Sequence, residues 1–184
     1  MFGSSVAVVA GRRIDAPGAT TKHFPQSEEG RVYRELQARF RSHKVHEIVC
    51  SAACGTDILA LEAAQSLALG STIVLPSPAE CFRASSVVDR GGNWGLRFDR
   101  LIEAATRSGT LRILPEGRKD DADYLEANTH ILAIAQLSQQ RRRFAFVAWD
   151  ERPREGTDVT EDFLLQAMHL GFTADVISTL PTEL

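Results

Sequence analysis

The chain has 184 residues, of which 43% are hydrophobic and 24% are charged, and its formal net charge is −3. This length fits one domain over residues 1–184, and these proportions are ordinary for a globular protein. The absence of a net basic charge argues against nucleic acid and anionic membrane surfaces as partners. No apolar run approaches the length of a membrane span, so we expect no membrane partner.

The N-terminus and the cysteines indicate a cytoplasmic protein. The sequence begins MFGSSVAVVAGRR, which lacks the basic segment that precedes the apolar part of a signal peptide. Cys50, Cys54 and Cys81 have no second Cys or His pair at the spacing of a zinc site. We interpret them as small apolar residues in a reducing compartment, and we expect neither a metal nor a cofactor.

Short apolar runs alternate with amphipathic segments in the first half of the chain. The run SVAVVA is rich in valine and unbroken by charge, which is typical of a strand buried on both faces. Val32, Leu36 and Phe40 recur on one face of the helix that follows. The predicted elements are, in order, a strand at 5–10, a helix at 27–42, a strand at 46–50, a helix at 57–69 that Gly70 ends, and a strand at 72–75.

The alternation continues in the second half. Trp94, Phe98 and Leu101 form the apolar stripe of a helix. Gly91 and Gly92 make residues 85–93 the segment that we expect to be a mobile loop. The predicted elements are a helix at 93–107, a strand at 111–114, a helix at 120–139, a strand at 144–149, a helix at 159–170 and a strand at 175–177.

This order of elements predicts the fold class. Strands that alternate with helices indicate a parallel sheet with helices on both faces and right-handed crossovers. We therefore predict an α/β protein, a Rossmann-like three-layer α/β/α sandwich with a mostly parallel sheet of about six strands. Ligands of such sheets bind beyond the carboxyl ends of the strands, so the residues that follow each strand are the candidates for a site.

The segment SAACGTD, which follows the second predicted strand, consists almost entirely of small residues. A turn needs only one or two of them, so the run indicates that something approaches the backbone closely. The start of the next helix favours an anion. We interpret Gly55 as the approach point of a phosphate, with Ala52 and Ala53 leaving room for a ribose, and Ser51 is a further candidate for ligand binding. Thr56 would contact a phosphate oxygen, and Asp57 a ribose hydroxyl.

A tight strand-to-helix turn is the alternative for the same segment. In it Thr56 caps the helix and Asp57 interacts favourably with the helix dipole. For Asp57 taken alone, this is the preferred interpretation. The loop is neither a Walker A motif nor G-x-G-x-x-G.

Three other strand ends carry candidate residues. The first strand ends in AGRRID, where Gly11 lies at the expected ligand position. Arg12 or Arg13 could pair with a phosphate, and Asp15 could accept a hydrogen bond from a sugar or base. Glu80, in LPSPAECF, is a candidate acid–base group. The alternatives are a surface arginine pair and an acidic residue in the first turn of a helix.

The remaining candidate ligand-binding residues lie on the predicted helix at 93–107 and after the fifth predicted strand. Trp94 could stack on a base, although a Trp on a helical stripe more often belongs to the core, and Arg97 lies one turn later. Gly156 and Thr157, in EGTDVTEDF, open a second anion-ready helix start on the same edge.

In order and spacing, these segments resemble the SLOG superfamily. This Rossmann-like group includes the LOG cytokinin-activating phosphoribohydrolases, the DNA-uptake protein DprA and domains of bacterial signalling systems. The resemblance spans nearly the whole chain and implies recognition of a nucleotide or nucleotide derivative. It also implies a homodimer or larger oligomer formed through helices that flank the sheet. The helix at 120–139 is a candidate because it is apolar around Ile131, Leu132 and Ile134.

One departure from the family pattern concerns catalysis. LOG enzymes carry P-G-G-x-G-T-x-x-E, whose Glu serves in cleavage of the N-glycosidic bond. Gly156 and Thr157 match this motif, but RPRE precedes them, Thr160 holds the acidic position and Glu161 comes one residue later. One residue turns a helical side chain by about 100°. The candidate catalytic residues are therefore Glu80 and a displaced Glu161.

Three functions follow as alternatives. The first is a sensor or signalling module that binds a nucleotide or a related ligand. The second is a LOG-like phosphoribohydrolase that cleaves the N-glycosidic bond of a nucleoside monophosphate. The third is a protein-interaction module with a vestigial pocket. We rank the sensor first because no carboxylate stands at the expected catalytic position.

Overall fold

The computed structural model describes residues 4–115 and 121–181, and six parallel strands form its sheet. The strands are β1 (Ser5–Gly11), β2 (Val45–Cys50), β3 (Gly70–Leu75), β4 (Leu111–Ile113), β5 (Arg142–Trp149) and β6 (Thr173–Ser178). The helices are α1 (Glu29–Ser42), α2 (Thr56–Ser66), α3 (Ala79–Ser86), α4 (Trp94–Ser108), α5 (Asp121–Gln136) and α6 (Val159–His169). The strand order is β4-β3-β2-β1-β5-β6, and every strand pair in it is parallel.

Two apolar layers cover the sheet because side chains alternate along each strand. Ala7 and Val9 of β1 pack in one core with residues of α1, α2 and α4, including Phe40. Val6 and Val8 pack in a second core with residues of α5 and α6. The predicted fold class, a Rossmann-like three-layer α/β/α sandwich, is confirmed.

The strand order reverses beside β1. From β1 the chain adds β2, β3 and β4 successively on one side, and it then returns to place β5 and β6 on the other side. The register of β1 and β5 runs from Ser5 opposite Arg142 to Gly11 opposite Ala148, so the two carboxyl ends are adjacent. Such a switch point leaves a crevice between the connections that depart in opposite directions, and ligands of α/β sheets bind there.

The predicted loop at residues 85–93 was wrong for its first residues, and one helix was missed. Residues 79–86 form α3, and a 3₁₀ turn at Val88–Arg90 follows it. Ser86 and Val87 are buried, so the start of this segment belongs to the packed structure, whereas residues 91–93 form an exposed turn. The two glycines come only after the 3₁₀ turn. The short helix between prolines and glycines offered too few turns for a helical period to be recognised.

The end of α2 also differs from the prediction. The helix stops at Ser66, and the Leu67 N–H donates to the carbonyls of Ala63 and Ala64. Ala68 then adopts a positive φ of 54°, and Gly70 already belongs to β3. The turn therefore forms without the glycine that was expected to end the helix. The predicted start of α5 at Asp120 lies outside the described residues.

Two residues of α5 that suggested a dimer face lie inside the fold. Ile131 and Leu132 pack against the sheet in the second core, whereas Ile134 is only partly buried. None of the helices in the described parts of the chain is both long enough and apolar enough to cross a membrane.

Candidate functional site

A cavity of about 400 Å³ lies at the carboxyl ends of β1 and β5. This volume is within the range of small-molecule sites. The wall is formed by residues that follow β1 and β2, by α3 and α5, and by the loop between β5 and α6. Seven of the residues that the sequence suggested for ligand binding line it, namely Gly11, Arg12, Arg13, Ser51, Ala53, Asp57 and Thr157.

Arg12 is buried and bonded to the protein. Its Nε donates to Asp150 Oδ1 at 2.7 Å, and its Nη1 and Nη2 donate to the two Asp158 carboxylate oxygens at 2.9 and 2.7 Å. Nη2 also donates to the Arg152 carbonyl at 2.7 Å. A guanidinium has five N–H donors, so these four bonds leave one. Arg12 lines the cavity, but its main contacts hold the carboxyl ends of β1 and β5 together.

The charges of this network stabilise one another. Burial alone would raise the pKa values of Asp150 and Asp158, but hydrogen bonds and charge from Arg12 outweigh it, and both pKa values are lowered. Burial would likewise lower the pKa of Arg12, yet the two carboxylates raise it. All three groups are therefore ionised at neutral pH.

The loop after β1 is fastened to the same network. His23 Nδ1 lies 2.6 Å from Asp150 Oδ2. The Asp15 carboxylate accepts the backbone N–H groups of His23 and Phe24, each at 3.1 Å. Asp15 does not line the cavity, and its hydrogen bonds order the loop.

The close approach expected at the small-residue segment occurs, and the neighbour is this chain. Gly55 has φ 101°, and a Cβ there would lie 2.6 Å from Ile14 N and 2.9 Å from Arg12 O. Thr56 Oγ1 donates to the same Arg12 carbonyl at 2.9 Å. Gly55 and Thr56 therefore pack against the β1 connection, Ala52 is fully buried in the first core, and none of the three lines the cavity.

Asp57 faces the cavity from the first turn of α2. Its side chain is buried, and Oδ2 accepts the Ala53 N–H at 3.1 Å. Burial raises the pKa of Asp57 to about 7, although the Ala53 hydrogen bond and the charge of Arg13 oppose the shift. Near neutral pH, Asp57 is therefore divided between the neutral acid and the carboxylate. A group of this kind in a cleft is typical of functional sites.

The other polar groups of the wall differ in whether they have a protein partner. Ser51 Oγ is buried without a hydrogen bond to any of the residues that the structure describes. Asn128 on α5 donates through Nδ2 to the Val159 carbonyl at 3.0 Å. Opposite α2, the hydroxyl groups of Tyr124 and Ser86 lie 2.7 Å apart.

Two further arginines line the cavity. Arg13 forms an ion pair with Asp89, and its Nε is buried without a hydrogen bond to the described part of the chain. The exposed Arg154 has no ion pair, and its guanidinium has no hydrogen bond, within residues 4–115 and 121–181. Partial burial and then the like charge of Arg12 lower the pKa of Arg154. Sequence reasoning missed Arg154, because the LOG motif directed attention to the glycine and threonine after it.

The start of α6 differs from the predicted anion site. The helix begins at Val159, and Asp158 caps it by accepting the N–H groups of Thr160 and Glu161 at 3.0 and 3.2 Å. Thr157 lines the cavity, whereas Gly156 is exposed before the helix and does not. The carboxylate of Asp158 thus already occupies the position that the prediction reserved for a ligand anion.

Trp94 and Arg97 lie away from this cavity. Trp94 is buried on α4, and the Arg97 guanidinium lies 4.0 Å from its ring centroid. Arg97 donates to both Glu62 oxygens at 2.8 and 2.6 Å and to Glu29 at 2.6 Å. These contacts join α4 to α2 and α1, and they account for both residues without a ligand.

The two predicted catalytic glutamates do not line the cavity either. Glu80 is exposed in the first turn of α3, as the alternative interpretation had it. Glu161 lies in the first turn of α6 and is partly buried. Among the described carboxylates, Asp57 combines a position in the cavity wall with a pKa near neutrality.

Comparison with protein-family models gives no match, and comparison with curated proteins gives none either. Among solved structures, the chain is similar to DNA processing protein A (DprA) from Streptococcus pneumoniae, with 14% identical residues and a TM-score of 0.44. The similarity covers 93% of this chain and 58% of the DprA chain. This chain thus spans less than two thirds of the length of that protein.

The Arg12 network generates a prediction on stability. Arg12→Met should lower the free energy of unfolding by about 3–5 kcal/mol at pH 7, because it leaves Asp150 and Asp158 buried without their cation. Burial without Arg12 raises the carboxylate pKa values of the variant, whereas those of wild type lie below 3.8. The deficit should therefore shrink as the pH falls from the raised pKa values of the variant to the lowered ones of wild type. Urea denaturation at several pH values measures both effects. Arg107→Ala, which removes an exposed pair with Glu103, is the control and should remain close to wild type.

The contact at Gly55 generates a second prediction. Gly55→Ala should destabilise the protein by several kcal/mol, because the new Cβ would collide with the backbone of Ile14 and Arg12. Gly156→Ala is the matched control, since Gly156 also has a positive φ but has open space around its Cβ position. It should cost only about 1 kcal/mol. Equal losses in urea denaturation would contradict the role of backbone contact.

The raised pKa of Asp57 generates a third prediction, which concerns the pH dependence of stability. The folded-state pKa lies about three units above the ordinary value of 3.8, so this group disfavours folding increasingly between about pH 4 and pH 7. The full effect is up to about 4 kcal/mol. Asp57→Asn should therefore gain stability relative to wild type as the pH rises from 4.5 to 8 in urea denaturation. Parallel stability curves for the two proteins would contradict the shift.

Proposed function

We propose that this chain binds a small anionic ligand, a nucleotide or nucleotide derivative, in the cavity beside β1 and β5 and acts as a sensing or signalling module. The observation that carries the proposal is Arg154. It is a cation in the wall of a cavity at the switch point of a parallel sheet, with no ion pair within the described residues. An arginine in such a place suits a phosphate or carboxylate group.

The rest of the wall supports a ligand of mixed polarity. Arg13 adds a second guanidinium to the wall, where it is paired with Asp89, whereas Asp57 and Ser51 offer hydrogen-bonding groups without positive charge. Phe82 and Ile131 contribute apolar surface to the same cavity. A nucleotide combines a charged end, a hydroxylated sugar and a flat, weakly polar base, and its parts would match these three kinds of surface.

The ligand class is tested by a panel of AMP, CMP, NAD and cytokinin-type nucleotides. A ligand present at about 100 times its dissociation constant adds about 2.7 kcal/mol to the stability, which a thermal-shift assay detects. Arg154→Ala should weaken binding about tenfold to a hundredfold, because it removes a charge-assisted hydrogen bond. Arg152→Ala, an exposed arginine of the same loop that does not line the cavity, is the control and should bind as wild type does.

Two outcomes would contradict this proposal. The first is the absence of any thermal shift across the panel, which would favour the interaction module with a vestigial pocket. The second is a shift that Arg154→Ala and Arg152→Ala leave equally unchanged, because the ligand would then bind elsewhere.

The phosphoribohydrolase is a second candidate, and the observation that favours it is Asp57. A carboxylic acid with a pKa of about 7 in a cavity is suited to protonate a leaving base. We nevertheless expect binding without turnover, because the cavity wall holds Thr160 at the acidic position of the LOG motif, whereas Glu161 and Glu80 do not line the cavity. Chromatography of the incubated panel members for free base decides between the two. Release that Asp57→Asn abolishes would establish a hydrolase.

The homodimer or larger oligomer also stays a proposal, and it rests on the family resemblance. Exposed apolar side chains that a partner copy would cover are Leu137 at the end of α5 and Leu165 and Met168 on α6. Light scattering measures the mass in solution.

A further inference from the structure

Two polar groups on the β2 side of the cavity have unused hydrogen-bonding capacity. The Asp57 residue is only 8% exposed. Its Oδ2 accepts the Ala53 N–H, while its Oδ1 has no hydrogen-bond partner within residues 4–115 and 121–181. Ser51 Oγ is buried and also has no partner there. A buried polar group such as Ser51 Oγ is normally paired, because an unpaired one loses its hydrogen bonds to water without replacement. Both residues line the cavity, so a ligand is the natural partner.

The charges around Asp57 do not fix it as a carboxylate. Arg13, which follows β1, favours the ionised form, but its guanidinium is paired with Asp89. On β2, the Cys50 thiol is fully buried and carries no charge, because burial and then Asp57 raise its pKa. Charged groups also line the cavity from α5 and from the loop between β5 and α6, and these are Asp121, Arg154, Glu155 and Asp158. No ion pair to the Asp57 carboxylate is present within the described residues.

We propose that Asp57 binds the ligand as a neutral carboxylic acid, and that its O–H and the Ser51 hydroxyl contact an uncharged acceptor of the ligand, such as a carbonyl oxygen or ring nitrogen of a base. The anionic group of the same ligand lies at Arg154. This inference rests on the proposed function and adds a determinant of specificity to it. It assigns Asp57 the role of a donor, in place of the acceptor for a ribose hydroxyl that the sequence suggested.

If Asp57 binds the ligand as a neutral acid, the affinity falls as the pH rises. If only the protonated form of Asp57 binds, the dissociation constant rises about tenfold for each pH unit above the pKa of the free protein. A carboxylate that accepts a ribose hydroxyl gives the opposite or no dependence. The second ionisation of a phosphate, near pH 6, is largely complete before this range begins.

The experiment is isothermal titration of the full chain with AMP, and with any panel member that binds more tightly, at pH 6.5, 7.5 and 8.5. Three proteins are compared, namely wild type, Asp57→Asn and Asp57→Ala. The Asn variant keeps an acceptor for the Ala53 N–H and has an amide donor in place of the acid O–H. Because it also removes a buried charge, we expect it to fold, and circular dichroism at each pH checks this.

The wild-type dissociation constant should rise at least tenfold between pH 6.5 and 8.5. Asp57→Asn should bind at all three pH values with a nearly constant dissociation constant, which also corrects for titration of the ligand. Asp57→Ala should bind at least tenfold more weakly than Asp57→Asn at each pH. This combination requires an uncharged donor at position 57, and a purely structural role of Asp57 does not produce it.

Two results would overturn this inference while leaving the proposed function intact. One is binding that Arg154→Ala weakens but that shows no dependence on pH in wild type. The other is an Asp57→Asn variant that loses as much affinity as Asp57→Ala, which would show that the carboxylate is the binding form. If no panel member binds at any pH, the proposed function fails and this inference fails with it.

Discussion

The buried contact of Arg12 with Asp150 and Asp158 is the interaction on which the carboxyl edge of this fold depends. It joins the end of β1 to the loop that follows β5, where the strand order reverses and the two connections diverge. A buried guanidinium with two carboxylates is costly to desolvate, yet removal of one partner costs more because it leaves an uncompensated charge. The network therefore stays closed, and it gives the cavity walls on both sides of the switch point a fixed separation.

This closed network separates polar groups that serve the fold from those that are available to a ligand. Arg12 uses four of its five N–H donors on the protein, and Asp158 accepts the first N–H groups of α6. Arg12 is therefore not free to hold a phosphate in the way the sequence suggested, and the Asp158 carboxylate already occupies the helix start that was predicted to bind an anion. Arg154, Asp57 and Ser51 line the same cavity with unused charge or hydrogen-bonding capacity. Our proposals rest on this contrast between saturated and unsaturated groups.

The run of small residues after β2 shows how a correct local inference can have a different tertiary cause. Six small residues indicate that a backbone comes close, and the positive φ of Gly55 and its short distances to the β1 connection bear this out. The approaching group is the chain itself. Only Ser51 and Ala53 of this run, and Asp57 after it, reach the cavity. A run of small residues indicates that a neighbouring group comes close to the backbone, but it does not indicate whether that group belongs to a ligand or to the chain itself.

The sequence by itself determined the alternation of strands and helices and hence the class of fold. Those features depend on the period of apolar residues, which neighbours two to four positions apart specify. Tertiary structure alone decided the pairing of Arg12 with Asp150, which lies 138 positions away, and the exclusion of Trp94, Arg97, Glu80 and Glu161 from the cavity. It also decided the pKa of Asp57. Desolvation and ion pairing depend on which distant segments the strand order brings together. Local sequence patterns do not specify these contacts between distant segments.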